Sequence, residues 1–230
     1  MNKIPTLALV LVAIGLGSLV VGLAYTSYNY RPYSVWGSQA QNPQTTTPIM
    51  MDQAKAIAEQ YLASTRDSNL AIREIMEFQY NFYIIYYEKD TGRGAFEMLI
   101  WKQVPPYGYG MGGGMMGGWA TAGTIMPEPG PNMMWNTKYG PMANGMMGYG
   151  FRGSSTMTVS EANAQRLAQA YLDANFNGAK TEMATEFYGY HTFDFTINGK
   201  IAGMISVNGY TGQAWYHSWH GSFVQEVEFD

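Results

Sequence analysis

Two short stretches, 110 positions apart, limit what this chain can fold into more than any other feature. "AKAIAEQYL" begins at Ala54 and "AQRLAQAYL" begins at Ala164. In the first, Ala54, Ile57, Ala58, Tyr61 and Leu62 fall at i, i+3, i+4, i+7 and i+8. Ala164, Leu167, Ala168, Tyr171 and Leu172 repeat that spacing. Each set is one apolar face of an amphipathic helix, and such a face must be buried against another element. The spacing predicts helices near 52–63 and 160–174. Thr158, three before Glu161, predicts a capping box at the second.

Strand-like sequence follows each helix. In "EFQYNFYIIYYEKDTGRGAFEMLIW" (Glu77 to Trp101), Phe78, Tyr80, Phe82 and Ile84 alternate, and "KDTG" turns the chain into a second run. "EFYGYHTFDFTINGKIAGMISV" (Glu186 to Val207) does the same around an Asn198-Gly199 hairpin turn. The expectation is an α+β fold in which each of two repeats packs one helix on a small antiparallel sheet. A period of this length marks a duplicated domain, not a solenoid. Glu74, Glu77 and Glu97 fit exposed strand faces, and Glu88, Asp90 and Arg93 flank a turn as solvated charge. Glu186 and Asp194 read as sharing one face of one strand.

A helix with "A..iA..YL", an "F.....y.f" strand, a "tG" or "nG" turn and a closing strand together resemble the PepSY domain. Two copies would cover Ile49 to about Ile125 and Met157 to about Phe223. "EPGPNMMWNTKYG", "FYGYHTF", "SVNGYTGQ" and "WYHSWHG" resemble uncharacterised, membrane-anchored prokaryotic proteins of PepSY type. The resemblance implies a non-enzymatic binding or regulatory module that contacts another exported or membrane protein, for instance a peptidase that it restrains.

The N-terminus predicts where such a module works. No charge lies between Lys3 and Arg31, and "LALVLVAIGLGSLVVGLAY" (residues 7–25) is largely apolar. As a helix it is about 28 Å long, enough to cross the hydrocarbon core. Lys3 and the terminal amine favour a cytoplasmic N-terminus, which leaves the rest of the chain outside. A cleaved signal, with Gly22 and Ala24 at the cleavage site, is the competing reading, and both readings export the domain. The organisation expected is an anchor over 1–27, a polar linker over 28–48, a first repeat over 49–126 with a Gly/Met loop at 107–122, a connector over 127–156, and a second repeat over 157–230. A formal charge of −4 and no basic run argue against nucleic acid as a partner. The absence of cysteine excludes disulfides and thiolate metal sites.

The segment from Tyr107 to Gly150 holds more than half of the 17 methionines, and its only charged side chains are Glu128 and Lys138. Glycine this dense builds no core of its own. Thioethers are soft, neutral ligands for Cu(I). Met111, Met115, Met116, Met133, Met134, Met146 and Met147 are the candidate sulfur ligands for copper, with His217 and His220 as nitrogen donors; with His191 as a third donor, the histidines alone could hold zinc or copper. Methionine also packs readily on aromatic rings, so the same residues read as core or as a contact surface. Trp119, Trp135, Trp215 and Trp219 are the candidates for such a partner-facing or structural role, as in a subunit of a membrane complex.

"WYHSWHG" (Trp215 to Gly221) carries two of the three histidines, three apart. On a strand that spacing puts them on opposite faces. Only a bend lets them converge on a metal, and no carboxylate lies within five residues. An aromatic corner and a metal site both stand. The chain has no G-x-S-x-G, no H-E-x-x-H and no phosphate loop, so it reads as a non-enzyme. In "EPGPNMMWNTKYG", Pro129, Gly130 and Pro131 predict a non-helical path. Met133, Met134 and Trp135 predict packing against the aromatic strand 215–219, with Asn132, Asn136 and Thr137 capping the turn.

Overall fold

The computed structural model describes residues 48–103, 122–140 and 156–229. The expected anchor, nearly all of the linker and most of the Gly/Met loop lie outside the described residues. So do Met111, Met115, Met116, Trp119, Met146 and Met147. Among the described residues no helix is long and apolar enough to cross a membrane.

The fold is α+β with two antiparallel sheets. Helix α1 (Met51–Thr65) leads into β1 (Leu70–Phe78), β2 (Asn81–Glu88), β3 (Gly94–Trp101) and a short β4 (Ile125–Pro127). A one-turn helix, α2 (Pro131–Trp135), follows. Then α3 (Glu161–Asn175) leads into β5 (Ala179–Glu186), β6 (Tyr190–Ile197), β7 (Lys200–Asn208) and a short β8 (Ala214–Tyr216). The last strand, β9 (Phe223–Glu228), leaves the second sheet and pairs with β1. The strand orders are β4-β3-β2-β1-β9 and β5-β6-β7-β8.

Both long helices form where the apolar spacing predicts them. Ala54, Ile57, Ala58 and Tyr61 of α1 are buried, as are Ala164, Ala168 and Leu172 of α3. The alanines let each helix approach its sheet closely. Ser160, not the expected Thr158, caps α3 by accepting from the Asn163 amide. Thr158 instead donates its hydroxyl to the Tyr210 carbonyl.

Three apolar clusters make four layers. One lies between α1 and the first sheet, with Ile57, Tyr61, Ile72, Phe82, Ile84, Tyr86 and Phe96. One lies between α3 and the second sheet, with Leu172, Phe193, Phe195, Ile205 and Val207. The third lies between the sheets and joins Met76, Phe78, Tyr83, Ile85 and Leu99 to Phe187, Tyr190, Met204 and Trp219. The first sheet is therefore covered on both faces, which is why "NFYIIYYE" and "GAFEMLIW" are buried almost throughout. Phe82, Ile84 and Tyr86 face α1, while Tyr83 and Ile85 face the second sheet.

Four expectations about local structure are corrected. The alternating run from Phe78 to Ile84 is two strands, because Gln79 and Tyr80 turn the chain, their amides donating to the Ser222 and His220 carbonyls. Glu186 ends β5 while Asp194 lies in β6, so they do not share a strand. Glu97 and Glu88 are not exposed: both point into the protein, at 0% and 2% relative exposure. Finally, Pro131 starts a helix instead of preventing one. At the first helical position its missing N–H costs nothing, and Gly130 supplies the left-handed φ of +80° before it.

Candidate functional site

The layer between the sheets contains a polar cluster within its apolar surround. Glu97 projects from β3, the strand whose other residues are apolar or glycine. Glu128 follows β4, its amide donating to the Glu97 carbonyl. His217, Trp219 and His220 come from the turn after β8. Thr192 and Ser206 come from β6 and β7, and Asn81 from the start of β2. All of these side chains are buried, with Glu97, Glu128, His217 and His220 at 0–1%.

The turn brings the two histidines together. Strand β8 ends at Tyr216, so the opposite-face rule for a strand no longer applies to His217 and His220. Their ring centroids are 5.7 Å apart. His217 Nδ1 lies 2.9 Å and His220 Nε2 lies 3.1 Å from one oxygen, Oε1 of Glu128. The Trp219 indole N–H donates to that same oxygen at 3.3 Å. Aromatic stacking holds the imidazoles in place: His217 lies on Trp219 with centroids 5.0 Å apart, and His220 on Phe78 at 4.4 Å. The segment is therefore an aromatic corner that also gathers a carboxylate, one that sequence separation concealed.

Outer contacts orient each ring. His220 Nδ1 meets Asn81 Oδ1 at 2.8 Å, and Asn81 Nδ2 donates to the Trp219 carbonyl, which fixes the amide's orientation. His217 Nε2 meets Ser206 Oγ at 2.9 Å. Ser206 Oγ is 2.8 Å from Thr192 Oγ1, and Thr192 donates to Glu97 Oε1 at 3.1 Å. Glu97 also accepts from Tyr83 and Tyr190. Hydrogen bonds thus run from Glu97 through Thr192 and Ser206 to His217, and from Glu128 through His220 to Asn81, and His217 Nδ1 lies 2.9 Å from Glu128 between the two runs.

Burial sets the charge states. It pushes the Glu97 carboxyl up to about 8, helped by the neighbouring Glu128 and opposed by His217 and by hydrogen bonds from Tyr190 and Tyr83. Burial raises Glu128 well above the usual carboxyl range, against hydrogen bonds from Glu97 and Trp219. Burial lowers His217 to about 4 and, with His217 alongside, lowers His220 as well. An uncompensated charge in this layer would cost several kcal/mol, and the neutral forms avoid that cost.

The other predicted site residues are elsewhere. His191 lies on the opposite face of β6 from Thr192, with its Nε2 3.3 Å from the Val159 carbonyl, so the three histidines do not form one set. Met133 is buried at 7%, but Met134, its neighbour on α2, is 45% exposed. The expected packing of both is therefore half right: Met133 is buried and Met134 is not. Trp135 does pack where expected, edge-on to Trp215 at 5.7 Å and to Tyr190 at 6.4 Å. Asn136 caps the turn by accepting from the Lys138 and Tyr139 amides, whereas Asn132 accepts from the Glu97 amide and Thr137 donates its own amide to the Tyr188 carbonyl. Gly189 passes so close to this segment that a Cβ there would lie 2.2 Å from the Trp135 carbonyl oxygen.

A separate cleft of about 510 Å³ opens beside the layer, lined in part by Arg93, Met157, Phe187, Tyr188, His191 and Tyr210. Near it Glu88 accepts hydrogen bonds from Lys138, Tyr139, Tyr188 and Thr91. Burial alone would raise this carboxyl, but those bonds outweigh it and hold it at about 2.

No protein-family model matches the chain. No curated protein matches it. Among solved structures, the Bacillus megaterium YpeB C-terminal domain aligns over 76% of this chain at 13% identity, with a TM-score of 0.25. The alignment covers 64% of that chain. A likeness of that size supports no statement about fold or function here.

Sequence reasoning missed Glu97, Glu128, Asn81 and Ser206. The signal for Glu97 was its position as the one charged residue of "GAFEMLIW". For Glu128 it was its standing as the sole acid in the Met/Gly segment.

Proposed function

We propose that this chain is a membrane-anchored, extracytoplasmic module of PepSY type that binds another exported or membrane protein and catalyses no reaction. The observation that carries the reading is the separation of the open cleft from the ionisable cluster. The cleft offers aromatic, methionine, acidic and basic side chains to a visitor, with Arg93 paired to Glu186. Glu97, Glu128, His217 and His220 are closed off between the sheets. A reacting group needs contact with its substrate, whereas a sealed polar cluster rigidifies a binding surface. The parallel layouts α1–β1–β2–β3–β4 and α3–β5–β6–β7–β8 support descent from a duplicated unit. The apolar stretch 7–25 supports the anchor and, with Lys3, the outward orientation.

The test uses the full chain in intact cells. A photo-crosslinking residue at Tyr210, on the cleft, should capture one exported or membrane protein. The same probe at Met183, which is 89% exposed and outside the cleft, should not. Identical products at both positions, or none at Tyr210, would remove the cleft as a binding site. Protease added outside spheroplasts should digest residues 48–229, and protection of that region would overturn the orientation.

A further inference from the structure

We infer that Glu128, His217 and His220 form a binding site for one divalent cation of the zinc type. The inference rests on hydrogen positions around the two imidazoles and goes beyond the binding reading above. Asn81 Nδ2 donates to the Trp219 carbonyl, so Asn81 Oδ1 is the atom that faces His220 Nδ1, and it is an acceptor. His220 therefore carries its hydrogen on Nδ1 and turns a bare Nε2 toward Glu128. Thr192 donates to Glu97, so its oxygen accepts from Ser206, and Ser206 in turn accepts from His217 Nε2. His217 therefore carries its hydrogen on Nε2 and turns a bare Nδ1 toward Glu128.

The His220 Nε2 lone pair thus faces Glu128 Oε1 at 3.1 Å, and a second bare nitrogen, His217 Nδ1, lies 2.9 Å from the same oxygen. A single carboxyl hydrogen satisfies one of those nitrogens and leaves the other. The nitrogen left over is identifiable: His217 Nδ1 is buried and, despite its short distance to Glu128, makes no aligned hydrogen bond. One cation in place of that hydrogen satisfies both nitrogens and the carboxylate together.

The distances suit it. Metal bonds of about 2.0–2.2 Å at tetrahedral angles put donor atoms roughly 3.3 Å apart, and the three donor atoms here lie within 4.8 Å of one another. The outer contacts are those a metal-bound histidine needs, since each ring donates its remote N–H to a fixed acceptor, Asn81 Oδ1 or Ser206 Oγ. Two imidazoles and one carboxylate favour zinc or a similar borderline ion. Hard magnesium and calcium prefer all-oxygen sites, and Cu(I) prefers thioethers.

The site is sealed, so the test loads it during folding. The full chain, purified in detergent, is unfolded, refolded with Zn²⁺, and stripped of loose metal by a weak chelator. One equivalent of zinc per chain is expected. Refolding with Co²⁺ should give the intense visible absorption of a tetrahedral ion. Ser206→Ala, which removes an outer contact and leaves the ligands in place, should weaken binding about 10- to 100-fold. Glu128→Gln should reduce retained zinc at least tenfold, and His191→Ala, outside the cluster, should leave it unchanged. A folded wild-type chain that retains no zinc, or zinc retained equally by wild type and Glu128→Gln, overturns the proposal. The wild-type cobalt spectrum decides the matter even if the ligand variants fail to fold.

Discussion

Asn81 and His220 stand 139 residues apart in the chain and 2.8 Å apart in the fold. Asn81 begins the first-sheet strand β2, and His220 lies in the turn that leaves the second sheet. Their contact, with the bond from Asn81 to the Trp219 carbonyl, ties the two sheets together through one side chain. Removing it leaves two buried polar groups without partners, each costing about 1–3 kcal/mol. Asn81→Ala should therefore lower unfolding free energy by about 3 kcal/mol, read as a shifted urea midpoint with an unchanged slope. Met183→Ala, at an 89% exposed position, should stay within about 0.5 kcal/mol. Equal losses at the two positions would mean that Asn81 does not join the sheets.

Glu74 makes the fold less stable as pH rises. It sits opposite Glu228 in the β1–β9 ladder. Burial, Glu226, Glu228 and Glu97 push its carboxyl up to about 7, with Arg73 opposing. Asp194 of β6 also faces it and is itself raised by burial and by Glu74. A folded-state value above the unfolded 4.5 means that the native state binds the proton more tightly. Stability from this group is then full below about pH 4.5 and declines as pH rises toward 7. Glu74→Gln should stabilise the protein at pH 8 and flatten the stability profile between those values. A profile unchanged by the substitution would show that this carboxyl does not set the slope.

Glu88 acts in the opposite sense. Its value of about 2 lies below the unfolded 4.5, so its contribution is present above pH 4.5 and is lost on acidification. Glu88→Gln should cost no more than about 3 kcal/mol at pH 7 and progressively less below pH 4. The glutamine amide keeps one acceptor oxygen, so either Lys138 and Tyr139 or Tyr188 and Thr91 lose theirs, and the proteolytic susceptibility of one of the 137–140 and 187–190 turns should rise above that of the other. A penalty independent of pH would mean that packing, not charge, carries the effect.

What the sequence revealed follows from what is local. Both helices and both Gly-containing hairpin turns could be read because their periods and turn residues lie within a few positions of one another. Strand β1 was not, because the register slips between Ile72 and Glu74 and breaks the alternation. The His217–His220 pair was readable only as a question, since its answer depends on where β8 stops. Glu128 reaches it from about ninety residues away, and no pattern of spacing encodes such a contact. Glu97 was misread as exposed because a sheet with one wet face is the ordinary expectation for a short antiparallel repeat. Here the second sheet covers that face.

The final strand tests how far the two sheets depend on one another. β9 supplies the last rung of the first sheet although it follows β8 of the second. Its residues pair with Glu74 to Phe78, and Phe223 packs edge-on against Phe78 at 5.8 Å. Phe229 adds apolar contact to the cluster under α1, and its amide donates to the Arg73 carbonyl. Ending the chain after Ser222 removes these contacts and leaves β1 as an open edge with unpaired N–H and C=O groups, a template for pairing with other chains. The truncated protein should lose about 2–4 kcal/mol, on the scale of a buried phenylalanine, and should self-associate. Replacing Val224, Gln225 and Glu226, mostly exposed positions of β9, with threonine should leave stability within about 1 kcal/mol, since the backbone ladder stays intact. A truncated chain that unfolds at the same urea concentration and stays monomeric would show that β9 is dispensable to the first sheet.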